Sequence, residues 1–153
     1  MTLSFKQKFK NGSKTYFVEK ILKGLEEKLS LDIKEYKESF SNRFNEALEL
    51  SKPPKIHTIR EDKKNRWRRG NKIHFVVNNR TKNRFQFAPI LEAQSIQIIE
   101  IRGGLIYVDN KQLNESEINS LAINDGFKSV EDFFKWFQSD FTGKIIHWSN
   151  LKY

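Results

Sequence analysis

The residues best equipped for chemistry crowd into one segment. Between Lys55 and Arg84 stand Lys55, Arg60, Lys63, Lys64, Arg66, Arg68, Arg69, Lys72, Arg80, Lys82 and Arg84, opposed only by Glu61 and Asp62. The segment balances at +9, the formal net charge of the whole chain, so acids and bases cancel everywhere else. A field this concentrated suits a polyanion, because each phosphate neutralised releases condensed counterions. Arg60 offers a planar fork that fits a phosphate or a base edge, and the same fork would serve a structural salt bridge to Glu61 or Asp62. Trp67, set among Lys and Arg, could stack on a base for about 1–3 kcal/mol or anchor a loop. Lys63, Lys64, Arg66, Arg68, Arg69, Lys72, Arg80, Lys82 and Arg84 suit a surface that holds phosphates without reading sequence. His57, His74 and His147 show no metal-ligand spacing, so neither a metal nor another cofactor is expected.

The elements that must position these residues change character along the chain. Phe17, Ile21, Leu22, Leu25 and Leu29 recur at helical spacing and predict a helix from Thr15 to about Leu29, with Ser13 or Thr15 as cap. Ile33, Tyr36, Phe40, Phe44 and Leu48 predict a second amphipathic helix from Asp32 to Leu50, ended by Pro53-Pro54. The middle reads as strands: Lys72 to Val77 after a Gly70-Asn71 turn, Arg84 to Ala88 with Pro89 marking an edge or bulge, a β-prone run from Ile90 to Ile101, and Leu105 to Val108 after Gly103-Gly104. A short helix should open at Asn114 and close at Gly126. Another should open at Ser129 with Asp132 completing the cap, and Gly143 to Trp148 should form a closing strand. Trp136 and Trp148 are assigned to the core. The pattern predicts an α+β fold: a small, partly closed barrel with flanking helices and a helical extension over residues 1–50.

A chain of 153 residues is the size of one domain with a buried core. Cysteine is absent, which excludes disulfides, a thiolate nucleophile and a cysteine-based zinc site. Neither a signal-peptide-length apolar run at the start nor a stretch of ~20 apolar residues is present. A cytoplasmic protein with no membrane partner is therefore expected.

The sharpest local string is Lys55-Ile56-His57-Thr58-Ile59-Arg60, followed by Glu61-Asp62 and Trp67-Arg68-Arg69-Gly70-Asn71-Lys72-Ile73. It resembles the K-x-x-T-I-R string of the ASCH family in the PUA-like superfamily, with Gly70-Asn71 where that family usually has Gly-Asp. Asn124-Asp125-Gly126-Phe127-Lys128-Ser129-Val130-Glu131-Asp132-Phe133 is similar to the family's junction of acidic-Gly-Phe with Ser-x-x-acidic-Phe. Leu3-Ser4-Phe5-Lys6 with Thr15-Tyr16-Phe17 is similar to small phage-associated or mobile-element proteins. The resemblance implies a PUA-like pseudo-barrel whose basic cleft takes RNA or a modified nucleotide. It also implies an alternative, because some relatives are ribonucleases and one bacterial subgroup removes the acetyl group from acetylated cytidine. Lys55 and Thr58 match that subgroup's lysine and threonine, and Glu92 its glutamate by position in a strand. A lysine among like charges has its ammonium form disfavoured, so Lys55 could serve as a base toward the Thr58 hydroxyl or a water. Residues three apart on a regular strand face opposite ways, so the pair can cooperate only if the chain turns between them. The same residues also fit plainer roles: Lys55 as a phosphate-facing lysine, Thr58 as a β-former and Glu92 as the partner of a nearby arginine. A third reading has the first fifty residues offering helices to a protein partner.

Overall fold

The computed structural model describes residues 1–153 as an α+β protein. In chain order the elements begin with β1 (Thr2–Ser4), α1 (Phe17–Leu29), α2 (Lys34–Phe44), β2 (His57–Arg60) and β3 (Lys72–Val77). They continue with β4 (Phe85–Gln86), β5 (Leu91–Glu92), β6 (Ser95–Arg102), β7 (Leu105–Val108) and β8 (Lys111–Gln112), and end with α3 (Glu115–Asn124), α4 (Val130–Trp136) and β9 (Phe141–His147). The chain divides into two compact units: residues 1–55 with 72–92, and residues 56–71 with 93–153. Both sheets are open paths of strands, and no barrel closes. No helix is long and apolar enough to cross a membrane.

In the first unit, β3 is the spine. β1 pairs with it in parallel, Leu3 beside Phe75, so residues 1–50 are not purely helical. Antiparallel β4 and β5 share its other edge, with Val77 opposite Phe85 and Ile73 opposite Leu91. The register slips by two residues between them, around Pro89, which has no N–H for the ladder. Phe5 stacks on Phe75 at 6.1 Å and meets Phe87 edge-on at 5.9 Å. α1 buries Phe17, Ile21, Leu22 and Leu25 of the face its spacing predicts and adds Val18, while Leu29 at its end is only half-buried. Tyr16 stands at its cap position, while the Thr15 hydroxyl accepts the Phe17 N–H at 3.3 Å. α2 stops at Phe44, short of the predicted Leu50. Asn45 adopts the left-handed conformation (φ 49°) and its N–H closes on the Ser41 carbonyl, which ends the helix before the prolines are reached.

In the second unit the sheet runs β2-β9-β6-β7-β8. The predicted β-run is interrupted at Ala93-Gln94, where Ala93 exchanges backbone hydrogen bonds with Gly70 and Asn71 instead of continuing a ladder. Gly70 holds φ +82° with open space around it, so backbone conformation and not crowding is what glycine supplies there. α3 opens at Asn114 and α4 at Ser129, as the sequence predicts; the full capping box is between Asn114 and Glu117, whereas Ser129 supplies only half of one, its hydroxyl accepting the Asp132 N–H at 3.2 Å. Trp148 is in the core, but Trp136 is 37% exposed. It ends α4, so it can lean on Phe127 at 6.1 Å without being covered beyond it.

Gly143 lies in β9 just before Lys144, the residue paired with Arg60 of β2. A Cβ there would lie 2.5 Å from the Arg60 carbonyl oxygen and 2.6 Å from the Phe141 ring. The oxygen is backbone and cannot yield without parting β2 from β9. Gly143→Ala is therefore expected to cost about 1–3 kcal/mol, read as a lower urea midpoint at unchanged slope. An unchanged midpoint would contradict this account of the strand pairing.

Candidate nucleic-acid interface

In the second unit, residues 61–71 form a loop wound around one carboxylate. Asp62 accepts the backbone N–H groups of Arg66 at 2.9 Å and Trp67 at 2.8 Å, and pairs with the Lys144 ammonium at 3.2 Å. Lys144 also donates to the Trp67 carbonyl at 2.9 Å and to the Asn65 side chain. Arg68 donates inward to the Asn65 side-chain oxygen at 2.9 Å and the Trp67 carbonyl at 3.1 Å. Trp67 is only 5% exposed and anchors the loop; a stacking platform would need a free ring face.

Burial pushes the Asp62 carboxyl up, but the two N–H groups and the Lys144 ammonium outweigh it and hold the pKa below the usual carboxylate value. A depressed acid stabilises the fold above its unfolded pKa near 3.9, and that stabilisation is lost as pH falls through the folded value. Asp62→Asn would leave Lys144 without its carboxylate. It is expected to cost about 1–3 kcal/mol near neutral pH, with the difference from wild type shrinking in acid. A urea series across pH checks both the size and the convergence.

β-sheet register carries the loop's partner to the same place. Arg60 pairs with Lys144 across β2 and β9, and Lys144 with Ile98 across β9 and β6, so these side chains share one sheet face. Ile96 is two residues before Ile98 and shares that face. Between this face and the loop lies an open groove of about 700 Å³. The loop contributes Asn65, Trp67, Arg68 and Arg69; the approach to β6 and β6 itself contribute Gln94, Ser95, Ile96 and Ile98; β9 and the segment beyond it add Lys144, Ser149, Asn150 and Lys152. Four cationic side chains line it and no carboxylate does. Arg68 and Lys144 are spent on the loop, whereas Arg69 and Lys152 are exposed and hold no ion pair, leaving them for a ligand. The Ser95 and Ser149 hydroxyls are shielded from solvent without a hydrogen-bond partner. Ile98, 52% exposed, supplies an apolar floor.

Behind the sheet is a buried polar cluster. The Asn124 amide donates to the Tyr153 hydroxyl at 2.9 Å, and that hydroxyl lies 2.8 Å from His57 Nε2. His57 Nδ1 lies 3.6 Å from the Asp125 carboxylate. Burial pushes the Tyr153 hydroxyl well above its ordinary value, so it stays protonated. His147, whose ring centroid is 5.2 Å from that of His57, is fully buried, and neither of its nitrogens has a partner. Burial, helped by the charges of His57 and Lys152, pushes it down to about 3.

Of the predicted surface, the groove takes Trp67, Arg68 and Arg69. Lys63, Lys64 and Arg66 are exposed on the same loop, with Lys63 paired to Glu61 at 3.1 Å. Lys72, Arg80, Lys82 and Arg84 belong to the first unit, exposed at the start of β3 and in the loop before β4. Arg60 is half-buried; burial lowers its pKa and the Asp125 charge partly offsets this. Asp62, considered as an Arg60 partner, is held by Lys144. Thr58 is buried within β2. Lys55 and Glu92 lie in the first unit, Lys55 buried with its ammonium 5.0 Å above the Phe17 ring, Glu92 exposed in β5 opposite Lys72. None of these three lines the groove. No protein-family model, no curated protein and no solved structure matches this chain.

Proposed function

We propose that this chain binds RNA or a modified nucleotide through the groove of the second unit, as the ASCH-like string at Lys55 to Arg60 suggests and in the manner of a PUA-like domain. The carrying observation is the composition of the groove: four cations, no carboxylate and two shielded hydroxyls around an apolar floor. Cations hold phosphates. The Gln94 and Asn150 amides match the edges of bases, and Ile96 with Ile98 offers the apolar surface a base needs once it leaves its stack. A volume of about 700 Å³ is that of a small-ligand site and admits unstacked nucleotides, not a duplex. Hydrolysis draws no support from the groove, since Lys55, Thr58 and Glu92 stand outside it.

Fluorescence anisotropy with short labelled oligonucleotides tests the reading. Single-stranded RNA should bind better than duplex RNA of the same length. Phosphate contacts from Arg69 and Lys152, the two uncommitted cations, give a slope of log affinity against log salt near −1.4, at about −0.7 per contact on a single strand. Binding indifferent to salt, or a preference for duplex, would refute it.

A further inference from the structure

A second pocket lies wholly within the first unit, far smaller and of a different character. It holds about 170 Å³, with the rings of Tyr16, Phe17, Phe40 and Phe44 and the carboxyl-bearing Glu19 in its wall. Lys14 and Glu46, also in its lining, close on each other as an ion pair at the solvent side. Glu19 is only 7% exposed, yet no other residue gives its carboxylate a hydrogen bond or an ion pair. A buried carboxylate without a partner is costly. Burial, reinforced by the Glu46 charge, pushes its pKa up, and its own backbone N–H with the charges of Lys14 and Lys20 offsets this only in part.

We propose that this pocket is a binding site for a small organic cation, a quaternary or methylated ammonium group, held by Glu19 and the aromatic walls. Aromatic faces attract cations through the ring quadrupole, most strongly where water is excluded. Two of the four rings already do so within the fold: the Lys52 ammonium lies 5.4 Å from the Tyr16 centroid and that of Lys55 5.0 Å from Phe17. Phe40 and Phe44, 4.7 Å apart, widen the same kind of wall. The volume equals that of about five or six waters at ~30 Å³ each, room for a headgroup of five heavy atoms. A hard metal ion does not fit, since it would want six or more oxygens and would find Glu46 already paired with Lys14 and most of the wall made of rings. An anion is excluded by Glu19. Of the two lysines in the lining, Lys14 does not compete, because Glu46 already neutralises it, and Lys8 is exposed to solvent.

Titration calorimetry of the intact protein with choline and with its neutral isostere, 3,3-dimethylbutan-1-ol, tests the site. Wild type should bind the cation at millimolar concentration and at least about tenfold more tightly than the isostere. Binding should weaken as pH falls through the raised Glu19 pKa, because the cation needs the ionised carboxylate. Glu19→Gln should abolish the preference for the cation while leaving the isostere unaffected. Phe44→Leu, which keeps apolar bulk and removes a ring, should lower cation affinity several-fold and spare the isostere; it stands as the test even where Glu19→Gln alters folding. Absence of cation binding to wild type, equal affinity for cation and isostere, or an unchanged preference in both variants would overturn the proposal.

Discussion

Reversing the charge of Arg69 and Lys152 together is expected to weaken binding of short single-stranded RNA by a hundredfold or more at low salt while the fold stays intact. These two line the groove with their charges uncommitted. Each charged hydrogen bond lost costs about 1.5–3 kcal/mol, and the glutamates would add repulsion where no carboxylate now stands. The salt slope should flatten from near −1.4 toward zero, since both uncommitted cations are gone. Thermal melting should be almost unmoved, because exposed substitutions of this kind stay within about 0.5 kcal/mol. Arg68 and Lys144 offer a contrast. They also hold the loop through Asn65, Trp67 and Asp62, so their loss should reduce affinity and stability together. Anisotropy and melting, measured on both pairs, separate ligand contacts from scaffolding.

The second large effect is acid lability from His147. Its ring is fully buried, has no partner and keeps a pKa of about 3, against an ordinary histidine value near 6.5. A histidine whose folded pKa is depressed lets the unfolded chain bind a proton that the native state refuses. Stability is therefore whole above about pH 6.5 and falls as pH drops toward the folded value. The loss approaches 1.4 kcal/mol per pH unit, or roughly 3 kcal/mol by pH 4. His147→Phe keeps a buried ring beside His57 and should flatten this limb, leaving the shallower loss from Asp62 below about pH 4. Urea midpoints of both proteins between pH 8 and pH 4 check it; parallel curves would mean that His147 does not control the slope.

Much of this architecture could be read from the chain, and the limits have physical causes. β3 and β7 fall at the predicted residues because β-branched and aromatic side chains follow a glycine turn and end at an Asn-Asn or Asp-Asn pair. α3 and α4 start where Asn114 and Ser129 satisfy free N–H groups. α2 was misjudged at its end because one asparagine in a left-handed conformation stops a helix that hydrophobic periodicity would continue. β1 leaves no local pattern because three residues gain strand character only from their partner in β3. The groove shows the same division. Local charge density pointed to Arg68 and Arg69, but half of its cations, Lys144 and Lys152, come from a part of the chain whose charges cancel. Lys144 reaches the groove through antiparallel pairing with Arg60, and register over that separation is not written in any local pattern. Its contact with Asp62 is what turns an acid inside a basic run into the loop's organising centre.

The central claim is that the second unit's groove is the surface that takes RNA. Titrating isotope-labelled protein with a five-nucleotide RNA, and following backbone amide shifts residue by residue, tests it most directly. The predicted result is saturable shifts concentrated at Asn65 to Arg69, Gln94 to Ile98, Lys144 and Ser149 to Lys152, lost in the Arg69, Lys152 charge reversal. Shifts confined to the loop of Arg80, Lys82 and Arg84, or none at saturating RNA, would contradict it.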